Sequence, residues 1–339
     1  MVAGQLGNIK RRSSRMIALV IGYGSIGRRH VLNLSKLDCI DEIFVYTKIK
    51  ENVPNSFKKN LSFIDASTLG LHEVIDKYKI DLAIIANETY KHIDTAIILA
   101  EKGIHILIEK PLSHNLENVN YLKKIACKNK IVVFIAYNIR FLPAIQYLKD
   151  QISENIIGDL YFAQIEVGQY LPSWRTNIKY TDSYSANVKY GGGVALDLSH
   201  EVDYMRYLFG EPFLWKTLKS KVSDLEINSE DIFEGVYKFK NGFVCHVHMD
   251  YLQQKVKRNI KIIGSKGEIV CDFIEKWIDI QTHDNVVRLT KEYLFQVEET
   301  YNFELKHFLE TIETNIIPLI SLDDGIKALM LLEDNHDIQ

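Results

Sequence analysis

The alternation of short apolar runs with amphipathic segments constrains the fold of this chain more than any other feature. The runs "MIALVIGYG", "EIFVYTK", "DLAIIAN", "IHILIEK" and "IVVFIAYN" are separated by segments with helical spacing at 25–38, 67–79, 91–102 and 115–129. Strands that alternate with helices predict a parallel, doubly wound sheet, and strands that are apolar on both faces suit a sheet covered on both sides. The first half is therefore predicted to be an α/β domain of the Rossmann type.

The stretch "GYGSIGRRH" directly follows the first apolar run and places Gly22, Gly24 and Gly27 at G-x-G-x-x-G spacing. The first glycine allows a tight turn, the second lets a pyrophosphate approach the backbone, and the third permits close packing of helix on strand. A glycine-rich turn without a ligand is the alternative. Its position between a strand and a helix favours a dinucleotide site, with Ser25 and Ile26 in the first helical turn.

The end of the second run predicts which dinucleotide is bound. NAD-binding domains of this type place a carboxylate there for the ribose hydroxyls. This chain instead reads Tyr46-Thr47-Lys48. A hydroxyl followed by a cation suits a 2′-phosphate, so the sequence favours NADP over NAD, although Lys48 as an ordinary surface lysine remains the alternative.

The second half of the chain shows a different pattern of strand-like and helix-like segments. Strand-like stretches lie closer together after residue 160, with turn sequences "KNG" and "SKG" between them, and helical patterns occupy 302–315 and 323–334. Hairpin turns of this kind predict an α+β domain with a largely antiparallel, open-faced sheet. Alternating apolar residues in "FVCHVHMDYL" indicate burial on both sides of that sheet, so we expect a homodimer or homotetramer.

Composition limits the remaining possibilities. The 339 residues suffice for two domains, which we divide into a flexible leader at 1–15, a dinucleotide-binding domain at 16–138 and a substrate-binding and oligomerisation domain at 139–339. A net charge of −3 offers no basic surplus for nucleic acid, and the apolar runs are too short to span a membrane. Four scattered cysteines without metal-ligand spacing predict a cytoplasmic protein with no metal site.

Lys110 stands at the carboxyl end of a later run, in "EKPL". Ligands of open parallel sheets bind outside the carboxyl ends of the strands, so this lysine is expected to face the cofactor crevice. There it can hydrogen-bond a hydroxyl and ease its deprotonation as hydride leaves.

The motifs together resemble the Gfo/Idh/MocA family, named for glucose–fructose oxidoreductase and inositol dehydrogenase. The resemblance covers about residues 16–334 and is carried by the glycine motif, "NETYKH", "EKPL", "YNIRFLPA", "GGGVALDLSHEVDYMRYLFG" and "KIIGSKGEIVCDF" in this order. It implies an NAD(P)-dependent enzyme that transfers hydride between nicotinamide and a ring carbon of a sugar, amino sugar or sugar nucleotide. A nucleotide-sensing regulator without turnover, or a reductase of a non-sugar substrate, are the alternatives.

The resemblance also implies residue roles. Lys110, Asp197 and His200 are the expected catalytic set, with His200 as general acid/base and Asp197 orienting the substrate or the imidazole. Many members separate the acid and the histidine by three residues rather than two, so Glu201 is a candidate for part of the histidine's role. Further expected cofactor contacts are Asn87, Thr89, His92, Glu109, Lys110 and Asn138.

An aromatic insert, "LPSWRTNIKYTDSYSANVKYGGG", suggests the substrate class. Rings stack on sugar faces, and arginine binds phosphate or carboxylate with two donors. Trp174, Arg175 and Tyr184, with Arg140 from the "YNIRF" motif, are therefore expected to bind substrate. The alternative is a surface loop whose aromatic side chains pack on the sheet. The pattern also resembles a branch associated with bacterial surface-sugar pathways.

Overall fold

The computed structural model describes residues 15–48, 60–175 and 178–334. The predicted leader at 1–15 lies outside this range except for Arg15, which pairs with Asp41 at 2.8 Å. The strands are β1 (Met16–Ile21), β2 (Ile40–Thr47), β3 (Asn60–Asp65), β4 (Leu82–Ile85), β5 (His105–Glu109), β6 (Val133–Ala136), β7 (Leu160–Gly168), β8 (Leu214–Ser220), β9 (Ile232–Lys238), β10 (Val244–Asp250), β11 (Lys257–Gly264), β12 (Gly267–Asp272), β13 (Trp277–Thr282) and β14 (Val286–Leu289). The helices are α1 (Ser25–Ser35), α2 (Leu71–Lys77), α3 (His92–Glu101), α4 (Val119–Asn129), α5 (Pro143–Ser153), α6 (Leu171–Trp174), α7 (Val194–Asp197), α8 (His200–Phe209), α9 (Val297–Thr314) and α10 (Leu322–Leu331).

The first sheet has six parallel strands in the order β3-β2-β1-β4-β5-β6. Every residue of β4 and β6 is buried, because helices cover both faces of the sheet. The prediction of a doubly wound parallel sheet is confirmed. The strand order reverses between β1 and β4, and this switch point opens a crevice at the carboxyl edge.

Two elements of this region escaped the sequence analysis. β3 is an edge strand in which buried Leu61 and Ile64 are separated by more exposed residues, so it shows no continuous apolar run. The second is α5, which begins at Pro143 in the motif "YNIRFLPA". Proline is tolerated there, since the first N–H groups of a helix have no intrahelical partner.

The second sheet has eight strands in the order β14-β13-β12-β11-β7-β10-β9-β8. All neighbouring pairs are antiparallel except β7 and β10. Ala163, Ile165 and Val167 of β7 are buried, while Gln164 and Glu166 between them are half-buried. The predicted, largely antiparallel sheet is confirmed, with one face packed on α8.

The molecule has two apolar cores, one for each sheet. The carboxyl-terminal helices belong to the first core, since Leu305 and Phe308 of α9 and Leu329 of α10 pack there. The chain therefore returns to its first sheet at the end, and the proposed unit at 139–339 stays a prediction. Within the three described segments, no helix combines the length and the apolar character needed to cross a membrane.

Candidate active site

The glycine-rich turn has the shape that a pyrophosphate requires. Gly22 has a φ of +97°, and a Cβ there would lie 2.4 Å from the Ala86 carbonyl oxygen. A Cβ on Gly27 would lie 2.2 Å from the Gly22 carbonyl oxygen, whereas Gly24 faces open space. Among the described residues, no side chain caps α1, which begins at Ser25. The open space before an uncapped helix start fits a dinucleotide phosphate.

Thr47 and Lys48 end β2 at the same edge of the sheet. Thr47 is buried and Lys48 is exposed. Burial would raise the pKa of the nearby Glu88 carboxyl, yet the hydrogen bond from Lys91 and the charges of Lys91 and Lys48 keep that pKa below its usual value. Lys48 thus lies close to the loop that follows β4.

His92 joins two loops of the crevice. Its Nδ1 lies 3.0 Å from the Pro111 carbonyl oxygen and its Nε2 lies 3.1 Å from that of Asn87. Burial lowers the pKa of the ring, so it is neutral and donates to one of these oxygens at a time. The buried His92 side chain therefore holds the two loops together, and its expected contact with the cofactor stays a prediction.

Asn87 and Thr89 remain candidates for cofactor binding. The Asn87 side chain donates through Nδ2 to Thr95 at 3.1 Å. Its buried Oδ1 has no hydrogen-bond partner among the described residues, which leaves an acceptor for a ligand at the crevice. Thr89 is buried in the short 3₁₀ turn Thr89–Lys91.

Glu109 and Asn138 bond to protein groups rather than pointing freely into the crevice. The Glu109 carboxylate lies 2.6 Å from Nε2 of His30, a buried residue of α1. Asn138 donates through Nδ2 to the Thr300 hydroxyl at 2.6 Å. These bonds join α1 and α9 to the sheet, and the expected cofactor contacts of both side chains stay predictions.

Arg140 lies in a buried ion-pair network. Its Nε and Nη2 donate to the two carboxylate oxygens of Asp203 at 2.8 and 2.7 Å, and Nη2 also contacts Asp324 at 3.1 Å. Its Nη1 donates to the Leu319 carbonyl at 2.9 Å. All three nitrogens of Arg140 thus bond to protein groups, and its expected role in substrate binding stays a prediction.

Lys110 meets Asp197 across the crevice. Its Nζ donates to the backbone carbonyl oxygen of Asp197 at 2.5 Å. Burial lowers the pKa of the ammonium group, and the nearby charges of Asp197 and Glu109 oppose this only in part. The structure thus brings together two of the three predicted catalytic residues. The ammonium group of Lys110 loses its proton more readily than that of an exposed lysine.

A break in the helix explains why this carbonyl is available. Asp197 ends α7 and His200 begins α8, because Leu198 has non-helical dihedral angles. The Glu201 N–H, which a continuous helix would direct to Asp197, donates to the Leu198 carbonyl instead. Asp197 and His200 therefore lie on two separate helices, and the break leaves an oxygen for Lys110.

The aromatic insert reaches Asp197. Asp197 is buried, and its Oδ2 accepts a hydrogen bond from the Tyr251 hydroxyl at 2.6 Å. The Tyr184 hydroxyl also bonds to Asp197, and burial together with this carboxylate raises the pKa of the phenol. The Arg175 guanidinium lies 4.7 Å from the Tyr184 ring centre, and Trp174 packs edge-on against Tyr251 at 5.6 Å. The structure thus gathers the three predicted insert residues around one carboxylate.

His200 lies beside Lys110 in a neutral form. Burial lowers its pKa well below the usual value, and the positive charges of Lys110 and Arg258 lower it further. The ring packs edge-on against Tyr137 at 5.6 Å between centres, and its buried Nδ1 has no hydrogen-bond partner among the described residues. A neutral imidazole beside a lysine can accept a proton from a substrate hydroxyl.

The sequence analysis missed Arg258 and Tyr251, which belong to none of the motifs assigned a site role. Arg258 binds Glu201 at 2.8 Å, and the expectation that Glu201 takes part of the role of His200 stays a prediction. Among the described residues, no group of three or more His, Cys, Asp or Glu side chains is arranged to hold a metal ion.

Two family models match this chain. Residues 16–137 match an oxidoreductase family with an NAD-binding Rossmann fold. Residues 145–270 match the GFO/IDH/MocA C-terminal domain. Together they cover more than half of the chain.

Known proteins are similar over nearly their full length. The myo-inositol 2-dehydrogenase of Thermotoga maritima is 27% identical over 324 residues, which cover 92% of each chain. A probable dehydrogenase from Thermotoga maritima superposes with a TM-score of 0.74 at 25% identity, covering 93% of this chain and 94% of that one. The WlbA dehydrogenase of Bordetella pertussis, solved with NADH and UDP-GlcNAcA, has a TM-score of 0.79 at 17% identity and 95% coverage of both chains, which shows a common fold. Because both halves match in the order of the sequence motifs, this protein belongs to the Gfo/Idh/MocA family of NAD-binding oxidoreductases.

Proposed function

We propose that this protein transfers hydride between a nicotinamide cofactor and a ring carbon of a sugar, amino sugar or sugar nucleotide. The observation that carries the proposal is the approach of Lys110 to Asp197 at 2.5 Å beside a neutral His200. Both groups lie next to the carboxyl edge of the first sheet, where the glycine-rich turn fits a dinucleotide. When bound, the nicotinamide supplies the hydride acceptor or donor.

His200, Lys110 and Asp197 have different roles toward the substrate. In the oxidative direction, His200 accepts the hydroxyl proton while the carbon–oxygen double bond forms and the carbon loses its hydrogen as hydride. Lys110 donates a hydrogen bond to the same oxygen and stabilises the charge that develops there. Asp197 is oriented by Tyr251 and Tyr184 toward the substrate ring.

The substrate class rests on the insert and on the relatives. Trp174 and Tyr184 offer ring faces, and Arg175 offers a cation beside them. The relatives named above include a myo-inositol dehydrogenase and a dehydrogenase solved with a nucleotide-linked sugar acid. These features support a polyhydroxylated ring, with or without a charged substituent.

For the cofactor, we propose that Thr47 and Lys48 contact the adenosine ribose and favour NADP over NAD. The exposed Lys48 and the absence of a carboxylate from Tyr46-Thr47-Lys48 support this preference. Michaelis constants measured for both cofactors test it, and a clear preference for NAD would contradict it.

The decisive experiment is a screen of free sugars and sugar nucleotides that follows nicotinamide absorbance with both cofactors. We expect turnover with at least one substrate and its loss in K110M. Tight cofactor binding without turnover on any sugar would contradict the proposal and favour a nucleotide sensor.

We also propose that the exposed face of the second sheet joins copies of this chain. Leu218 and Val236 are exposed on the neighbouring strands β8 and β9. Mass measurement in solution tests this proposal, and a strict monomer would contradict it.

A further inference from the structure

Glu230 lies at the start of α7, the short helix that ends at Asp197. Its side chain is half-buried in the loop before β9 and belongs to none of the sequence motifs. Its Oε1 accepts a hydrogen bond from the Ala195 N–H at 3.2 Å, and its backbone carbonyl accepts one from the Val194 N–H, also at 3.2 Å. The first N–H groups of a helix have no partner within it, so Glu230 supplies the acceptors at the start of α7.

The backbone before α7 leaves room for this carboxylate. Gly193, the residue before the helix, has a φ of +123°, a conformation that residues with a Cβ rarely adopt. A Cβ at this position would overlap both carboxylate oxygens of Glu230. The glycine therefore lets the carboxylate lie directly against the backbone, and each group restricts the position of the other.

The residue before Glu230 holds the aromatic insert. Ser229 is buried and donates through Oγ to the backbone carbonyl of Ser185 at 2.7 Å. Ser185 follows Tyr184, whose hydroxyl bonds to Asp197. Two consecutive residues, Ser229 and Glu230, thus contact both chain segments that surround the Asp197 carboxylate.

α7 is too short to absorb a shift at its start. It has four residues, and its last residue, Asp197, accepts a hydrogen bond from Lys110 through its carbonyl and one from Tyr251 through its carboxylate. One helical turn spans only about 5.4 Å. A displacement of the first N–H groups therefore reaches Asp197, and the position of this acid depends on Glu230.

We propose that Glu230 is a positioning residue for Asp197, which it holds in place through its hydrogen bond to the Ala195 N–H. This inference rests on the proposed function, in which Asp197 is oriented toward the substrate ring. The bond, and not the charge, carries the role, since a second negative charge near Asp197 does not favour a carboxylate there.

Two substitutions separate the bond from the charge. E230D keeps the charge but shortens the side chain by one methylene group, which draws its carboxylate away from the Ala195 N–H. E230Q removes the charge and keeps an oxygen that can accept the bond. In steady-state kinetics, we expect E230D to lower kcat/KM for the sugar about tenfold at an unchanged KM for the cofactor, and E230Q to behave as wild type.

E73D is the matched control. The Glu73 carboxylate accepts a hydrogen bond from the Gly70 N–H at 2.7 Å at the start of α2, a helix to which no site role is assigned. The same shortening there should lower stability alone. Wild-type kinetics in E230D, or an impaired E230Q beside an active E230D, would overturn the inference.

Hydrogen exchange separates this inference from the proposed function, because it can be followed whether or not a sugar is turned over. We expect the Ala195 amide to exchange about tenfold faster in E230D than in E230Q, the effect of losing one hydrogen bond. If the wild type turns over no sugar, the proposed function fails, while faster exchange in E230D still supports the anchoring of α7. Equal exchange in E230D and wild type would refute the role of Glu230.

Discussion

The role of each residue in this site depends on the hydrogen bonds that it makes. The Lys110 side chain is half-buried, and its amine donates to a backbone carbonyl, which carries no full charge. Burial lowers the pKa of the amine, and the charges of Asp197 and Glu109 oppose this only in part. The amine is thus placed to donate a hydrogen bond to a substrate oxygen.

Replacement of Lys110 tests whether its amine takes part in turnover. K110M keeps most of the side-chain volume but removes the donor, so we expect kcat to fall by about 100-fold or more, with cofactor binding retained. Steady-state kinetics and cofactor titration measure the two effects. K123M, at an exposed lysine of α4 paired with Asp323, should behave as wild type. Full activity in K110M would rule out the proposed chemistry.

Lys48 offers a second test at the residue scale. If its ammonium group binds a 2′-phosphate, K48A should raise the KM for NADP about tenfold, the loss expected from one charged hydrogen bond, and leave the KM for NAD nearly unchanged. K124A, at another exposed lysine, is the control. An equal change for both cofactors would show that Lys48 does not select between them.

At the scale of elements, the interruption between α7 and α8 shapes the site. The last residue of α7 presents its carbonyl to β5 and its carboxylate to Tyr251, which follows β10. One short helix end is thus held by groups from both sheets. Its position determines how Asp197 meets a substrate.

Tyr251 tests the importance of that position. Y251F removes one hydrogen bond to a buried carboxylate, which should cost about 1–3 kcal/mol of stability and lower kcat/KM. Y237F removes a comparable buried bond, from Tyr237 to the Leu331 carbonyl at 2.8 Å, and should change stability alone. Denaturant unfolding and steady-state kinetics separate the two effects. Equal kinetics for Y251F and wild type would show that Asp197 needs no such support.

Helices and strands whose own residues show a pattern could be predicted from the sequence. Contacts between residues that lie far apart in the chain could not. The apolar runs and the glycine spacing sufficed for five strands of the first sheet and for its crevice, while the polar edge strand β3 had no such signal. Lys110 was predicted because its motif ends a strand. The ion pair of Arg140 was not predicted, because its partner Asp203 lies 63 residues away. No spacing rule reveals such a bond before the two domains are assembled.

At the scale of the whole molecule, Arg140 joins the middle of the chain to its last helix. It joins the connection between the sheets to Asp203 of α8 and to Asp324 of α10. We expect R140Q to lose about 3–5 kcal/mol of stability, since it removes the nearest counter-charge of the buried Asp203 carboxylate. Urea unfolding measures the loss. R288Q, which breaks an exposed pair with Asp279, should show no resolvable change. Similar unfolding curves for both variants would contradict this account.

The bond from Lys110 to Asp197 has a consequence for motion. Lys110 follows a strand of the first core, and Asp197 ends a helix whose residues belong to the second. The surroundings of the amine therefore depend on both cores at once. A substitution in the second core that shifts the end of α7 moves the oxygen to which Lys110 donates, although it leaves the first sheet unchanged.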